Sequence, residues 1–365
     1  MINFFGIIHQ SGGCGPELLG AIELLRSKNV PVRCIVPEDD PIVRSDRADY
    51  LRGLGCTIVN YRPGIFEKCK VLMSFGEDEM FNYMRRYSDR PQWVVWSSCM
   101  SFVVDVEIDA YRDGLIDEHF FQTKQNGDAV GPAICDRLGK GAKVAHRGGY
   151  RPYVNHKSAY MPLVSLPRSK DTFVVCRATR DDEAKWDQDS WKMYSGILCP
   201  SHKKVQIEVA GWGAEAQNKV GNPCDPSSRW NGELNINLRD HIYDPIEMAE
   251  FYGESHVLHH FYPFIETFGI ATTQAMICGA VPVVSDEDGF RHQVIHGETG
   301  FLCKSPEEAS FYASLLAFDD ERWSKMSQEA RRTTLEDGAG NASLAWPWWE
   351  YLVNHKAGLA KQPKC

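Results

Sequence analysis

Glu266 stands at the mouth of an apolar run, Phe264 to Val284, and Gln274 follows it eight residues later. A carboxylate in that place can accept hydrogen bonds from a ligand's hydroxyls. The run from Ala271 to Cys278 reads as a helix. A helix N-terminus carries free backbone N–H groups and partial positive charge, which suit an anion or a ring of hydroxyls. Gly269, just before it, permits close backbone approach. Gln274 lies about two turns further on, close to the same helix face, and could reach the same ligand. The simpler reading has Glu266 capping its own helix and Gln274 on the surface.

A second loaded stretch is SGGCG, Ser11 to Gly15. Its backbone N–H groups, above all around Gly12 and Gly13, have no side chains in the way, as a phosphate or a sugar ring requires. The same residues give G-x-G-x-x-L, a dinucleotide fingerprint without its third glycine. A third stretch follows Cys176: Arg177, Arg180 and Lys185 stand among Asp181, Asp182 and Glu183. Taken alone, that is a solvated loop close to neutral.

These stretches sit at the ends of strand-like segments. Asn3 to Ile8 is an apolar run of strand length. The Gly-rich turn comes next, then a helical pattern, LLGAIELLRSKNV, then VRCIV (Val32 to Val36). Strand, turn, helix, strand is a βαβ unit, which implies a parallel sheet with helices on both faces. Thr57 to Tyr61, Lys70 to Phe75 and Gln92 to Trp96 read as further strands of that half. The pattern resumes after Leu166 to Ser169. Asp171 to Cys176 is a strand, a helix starts near Ser190, and Val205 to Gly213 is a strand ending in a Gly turn. Gly279 to Val284 ends a helix and opens another strand. Two βα-repeating halves therefore meet near residues 155–170. Ligands of such sheets sit beyond the carboxyl ends of the strands, which places the site in the cleft between the halves.

Bulk composition narrows the classes. The 365 residues are 43% apolar and 24% charged, as expected of a globular chain of two domains. A net charge of −9 argues against a nucleic-acid partner. The 12 cysteines include no C-x-x-C pair and read as reduced, buried side chains. The first residues are too short an apolar run for a signal peptide, and no stretch approaches the roughly 20 apolar residues of a membrane span. A cytoplasmic setting is expected.

The segment Glu266-Thr-Phe-Gly-Ile-Ala-Thr-Thr-Gln274-Ala-Met-Ile-Cys-Gly-Ala-Val-Pro-Val-Val resembles the signature of the EX7E retaining glycosyltransferases, the family 4 group with the GT-B fold. Their pattern is E-G-F-G-x-x-x-x-E-A-M-A-x-G-x-P-V-V. The following Ser285-Asp-Glu-Asp-Gly289 and His296 to Leu302 (HGETGFL) also resemble the family's S-x-x-G-G and G-x-T-G-x-L. The resemblance implies two Rossmann-like domains facing a central cleft, with a C-terminal helix crossing back to the first. That gives 1–160 as the N-terminal acceptor domain, 161–340 as the donor domain and 341–365 as the returning helix. The Trp-rich stretch Ala342 to His355 suits such packing. It lacks the basic face a membrane-surface role would need.

By the same resemblance, Glu266, Thr267, Phe268, Gly269 and Ile270 hold the donor sugar and Gln274 the ribose. The family has a second acid where this chain has Gln274; an amide oxygen still accepts from a hydroxyl, more weakly. His292 likewise replaces a usual Glu. The family's V-G-R…K-G corresponds to Arg177 and Lys185, with Arg180 as alternative, meeting the departing diphosphate together with the loop of Gly12 and Gly13. Glu266, Arg177 and Lys185 are thus the expected catalytic residues. The family's acceptor-side His is missing from Val94 to Phe102; Ser97, Ser98, or His119 from the following helix are the stand-ins. Asp286-Glu-Asp288 has the form of the metal-binding D-x-D of the other glycosyltransferase fold, but following a strand it reads as a loop. No metal or other cofactor is expected.

The reaction implied moves a hexose from a nucleotide-diphosphate sugar to an acceptor hydroxyl with retention. GDP-mannose ranks first and UDP-glucose second. The acceptor would be a glycan, lipid or protein-linked group, and a homodimer is possible. Two other functions fit parts of the sequence: a dinucleotide-dependent oxidoreductase, from the first βαβ unit, and a non-catalytic nucleotide-sugar-binding protein, from Gln274 and the missing His. An epimerase on the same two-domain fold is a further variant.

Overall fold

The computed structural model describes residues 1–6, 14–158, 168–262 and 265–358. Among these the chain forms two compact units. Residues 1–6, 14–153 and 342–358 make the first, and 154–158, 168–262 and 265–341 the second.

The first unit holds β1 (Ile2–Phe5), β2 (Val32–Val36), β3 (Thr57–Asn60), β4 (Leu72–Phe75), β5 (Val94–Ser97) and β6 (Glu118–His119). They form one wholly parallel sheet in the order β3-β2-β1-β4-β5-β6. β1 and β4 are buried throughout, which is why they read as continuous apolar runs rather than alternating ones. The helix Cys14–Ser27 links β1 to β2 and packs Leu18, Ile22 and Leu25 into the core. The last helix, Ala342–Tyr351, belongs to this unit. Its Trp349 ring lies 6.0 Å from Phe4, and its Trp348 ring 5.0 Å from Tyr150. The Trp-rich stretch is therefore core, not surface.

The second unit holds β7 (Thr172–Ala178), β8 (Lys204–Ala210), β9 (Ile236–Arg239), β10 (Val257–His260), β11 (Val281–Ser285) and β12 (Phe301–Cys303). This sheet is also wholly parallel, ordered β12-β11-β10-β7-β8-β9. The chain runs from β7 outward through β8 and β9, then returns to lay β10 on the other flank of β7. Connections leaving β7 and β10 head in opposite directions, so a crevice opens beyond their carboxyl ends. Arg177 is the penultimate residue of β7, and Glu266 follows the end of β10 by six residues. In the first unit the equivalent switch falls between β1 and β4. Gly12 and Gly13, which follow β1, lie outside the described residues.

Four strands escaped the pattern reading: β6, β9, β10 and β12. Each has two to four residues, and β9 and β10 carry Asn237, Arg239, His259 and His260 among their apolar residues. His119 is also corrected. It belongs to β6, not to a helix, and is buried. Its Nδ1 lies 3.3 Å from the Tyr111 hydroxyl and its ring stacks 4.3 Å from Phe121. Burial, with His146 adding to it, pushes its pKa down to about 3, so it is a neutral core imidazole. Ser97 is buried as well, its hydroxyl accepting from the Cys99 amide at 3.1 Å.

Candidate active site

The carboxyl ends of β7 and β10 bring Lys185 and Glu266 together. Lys185 Nζ donates to Glu266 Oε2 at 2.7 Å, and the two side chains are only 12% and 16% exposed. The Tyr262 hydroxyl donates to the same oxygen at 2.7 Å. Both contacts fall on Oε2; among the described residues nothing donates to Oε1. One oxygen is held and the other is not.

Local chemistry explains why Glu266 is held so firmly. Gly269 precedes the helix Ile270–Ile277 in the left-handed conformation, φ +80°. A Cβ there would fall 2.8 Å from the Phe290 ring. Only glycine combines that backbone with that approach. No side chain caps this helix, so the first-turn N–H groups stay uncommitted to a capping oxygen. Gly289 presses against the same loop. Its N–H donates to the Glu266 carbonyl at 3.0 Å, and a Cβ on it would fall 2.6 Å from that oxygen. The Gln293 amide closes the arrangement by donating to the carbonyls of Phe268 and Gly269, the latter at 3.2 Å.

Glu266 is therefore not the cap of its helix; Gly269 occupies that position. Gln274 is not a surface residue, at 7% exposure inside the helix Ile270–Ile277. Thr267, Phe268 and Ile270 are buried around the same bend.

The charged loop after β7 is exposed at Asp181 and Glu183, yet it is held by specific hydrogen bonds. Asp181 accepts from the Ala216 amide at 2.9 Å and the Glu215 amide at 3.2 Å, so its charge sits at the start of the helix Ala214–Val220. Asp182 accepts from the Ala184 amide at 2.9 Å and pairs with Arg180 at 2.7 Å. Asp181 is engaged at that helix start, while the Asp182 charge also interacts favourably with Lys185.

Arg177 is enclosed. It is 0% exposed, and its Nη2 donates to the Lys185 carbonyl. Its guanidinium lies 4.2 Å from the Trp186 ring centre and 5.6 Å from that of Tyr262. Nε and Nη1 have no hydrogen-bond partner among the described residues. Among the described residues no carboxylate pairs with this guanidinium, so its charge adds to that of Lys185 beside it. Two neutral imidazoles line the same strand end. Burial lowers His259 to about 3 and His260 well below its ordinary value, with Arg177 pushing both the same way.

Tyr262 and the two histidines were missed in the sequence. Tyr262 stands two residues after β10, and the only signal available was its place just ahead of Glu266. Asp286 pairs with Arg291 at 2.7 Å, and Asp288 opens a one-turn helix, Asp288–Arg291, where a loop was expected. Among the described residues no three His, Cys, Asp or Glu side chains form a metal-holding group. Nor is any helix among them long and apolar enough to cross a membrane.

Solved structures match along nearly the whole chain. Sucrose-phosphate synthase from Thermosynechococcus elongatus superposes with a TM-score of 0.70 at 14% identity, covering 98% of this chain and 99% of that one. Anabaena HepE, solved with UDP-glucose, gives 0.66 at 13% identity over 97% and 99%. The pneumococcal O-GlcNAc transferase GtfA, solved with UDP and GlcNAc, gives 0.68 at 10% identity over 97% and 98%.

The chain has the GT-B fold.

The profile of the glycosyl transferases group 1 family matches residues 198–333, which takes in Glu266, Gln274 and the strands β8 to β12 of this GT-B chain. Arg177 and Lys185 precede the matched segment. No curated protein matches the chain by sequence.

Proposed function

We propose that this GT-B protein is a glycosyltransferase that moves a hexose from a nucleotide-diphosphate sugar to an acceptor hydroxyl. The observation that carries the reading is Glu266, fixed through Oε2 by Lys185 and Tyr262, with Oε1 open to accept from a sugar hydroxyl. Match of the group 1 family profile to the segment bearing Glu266 supports it. So does the structural likeness to proteins solved with UDP-glucose or UDP.

In this reading the sugar lies against Glu266 and the backbone of Thr267, Phe268, Gly269 and Ile270, ahead of the uncapped helix. Gln274 accepts from the ribose. Lys185 meets the diphosphate as its charge grows on bond breaking. Arg177, enclosed behind it, adds its field and holds the Lys185 carbonyl. These cations supply the charge stabilisation a metal would otherwise give, so metal-independent transfer is the expectation. Departure of the diphosphate and attack by the acceptor on the same face give retention, with a leaving-group oxygen taking the acceptor's proton. GDP-mannose and UDP-glucose are the donors to try first.

The test is calorimetry of the intact protein with GDP, UDP, GDP-mannose, UDP-glucose and NAD, followed by donor hydrolysis with and without added divalent cation. A nucleotide sugar should bind and be slowly hydrolysed, with the released sugar keeping the donor's anomeric configuration. A response to NAD alone would instead favour the oxidoreductase, and binding without any turnover the non-catalytic reading.

A further inference from the structure

We propose that Tyr262 is the positioning residue of this site: its hydroxyl sets which oxygen of Glu266 faces the sugar. The inference rests on the glycosyltransferase reading for its consequence, but on contacts within one unit for its geometry.

Tyr262 sits at the centre of the cluster. Its hydroxyl donates to Glu266 Oε2 at 2.7 Å, and its ring centre is 4.9 Å from Lys185 Nζ and 5.6 Å from the Arg177 guanidinium. A ring face attracts cations, so one side chain holds both signs of charge in register. Lys185 alone would leave the carboxylate free to swing about a single contact. A flexible ammonium fixes distance but not direction. Two donors converging on Oε2 from different elements fix the rotation of the carboxyl group, and Oε1 is then aimed by exclusion.

Tyr262 is itself held at the backbone. Ser285, the last residue of β11, accepts from the Tyr262 amide through Oγ at 2.9 Å, and the same hydroxyl donates to the Tyr262 carbonyl at 2.9 Å. The ring packs 6.0 Å from Phe290 and 6.1 Å from His260. The side chain is 2% exposed. Burial first, and then the neighbouring Glu266 charge, raises the phenol far above its ordinary value, so it stays a donor at every working pH. Among the described residues nothing uses the hydroxyl except Glu266. A purely packing role would be served by Phe.

The variant that isolates the hydroxyl is Tyr262→Phe, which keeps the ring contacts and both cation–ring contacts. Wild type, Tyr262→Phe, Glu266→Gln and the double variant are compared in two measurements. The first is affinity for UDP and GDP beside turnover of UDP-glucose and GDP-mannose. Tyr262→Phe should leave nucleotide affinity within about twofold and lower kcat for donor hydrolysis about tenfold, the size of one lost hydrogen bond in the transition state. In the Glu266→Gln background the same change should do far less. Turnover equal to wild type, or a loss of nucleotide affinity matching the loss of turnover, overturns the proposal. The second measurement is thermal unfolding of the same four proteins. Non-additive Tm shifts are expected because the two side chains touch. If wild type binds none of these nucleotides, the glycosyltransferase reading fails. The Tm cycle then decides alone, and additive shifts would show that Tyr262 does not hold Glu266.

Discussion

Lys185 and Glu266 lie 81 residues apart in the chain and meet at 2.7 Å, because β7 and β10 are neighbours in the sheet although two strands separate them in sequence. The pair occupies the switch point of a doubly wound sheet. There the fold leaves a crevice, and the chain places opposite charges across it.

Glu266→Ala should keep the fold and lower kcat/KM for donor hydrolysis by at least about a hundredfold, since a carboxylate bonded to sugar hydroxyls makes charge-assisted contacts. Circular dichroism and steady-state kinetics check the two halves of that statement. Removing only one member of a largely buried ion pair leaves the other charge stranded, so Lys185→Ala and Glu266→Ala should each cost roughly 1–3 kcal/mol of stability, and the double variant less than their sum. Additive denaturant midpoints would mean that the pair is not coupled.

Gln274→Glu restores a carboxylate where the resemblance expects one. If residue 274 meets the ribose, the variant should bind UDP or GDP more tightly by about 1 kcal/mol, the gain of a charged over a neutral acceptor. Calorimetry with the nucleotide alone reads this directly. An unchanged dissociation constant detaches Gln274 from the ribose.

Gly289→Ala tests whether the loop carrying Glu266 is built to tolerance. The added methyl would meet the Glu266 carbonyl oxygen at 2.6 Å and the Phe268 amide nitrogen at 2.7 Å, both backbone atoms. Backbone cannot swing aside as a side chain can, so the variant should lose roughly 1–3 kcal/mol in urea unfolding and bind donor poorly even when folded. Wild-type donor affinity in Gly289→Ala would show that the bend has slack.

Glu17 predicts a pH dependence in the first unit. It is fully buried and accepts from Tyr150 at 2.6 Å and from Gln122. Burial lifts its pKa to about 7 against an ordinary 4.5, with both hydrogen bonds pulling the other way. The folded value lies above the unfolded one, so no penalty exists below about 4.5. The cost of holding a carboxylate there grows as pH rises to about 7. Glu17→Gln should therefore gain stability relative to wild type between pH 4.5 and pH 8, by an amount on the order of 3 kcal/mol. Gln122 Oε1 has no partner among the described residues and can accept from the new amide once the Gln122 side chain turns over. Equal pH profiles of the two proteins would show that Glu17 titrates normally.

Much of the fold was legible in residue patterns. β1, β2, β4 and β11 announced themselves as mostly apolar runs, and the close approach at Gly269 by its place just before a helical stretch. β10 did not. Its sequence VLHH ends in two histidines that look polar on paper and are neutral and buried in place. Asp181, in the loop after β7, looked as though it would help neutralise Lys185, because spacing alone does not reveal that it serves the start of another helix. The hold of Tyr262 on Glu266 was equally hidden, because it depends on Ser285, distant in sequence, fixing the Tyr262 backbone.

The Trp348 and Trp349 side chains complete the first unit's core, yet the whole second unit precedes them in the chain. During synthesis the first half must wait, with Phe4 and Tyr150 uncovered, until the ribosome has finished the second. A premature stop near residue 341 would spare the second unit and hollow out the first. Anyone wishing to prepare the first unit by itself would have to splice residues 342–358 directly behind residue 153.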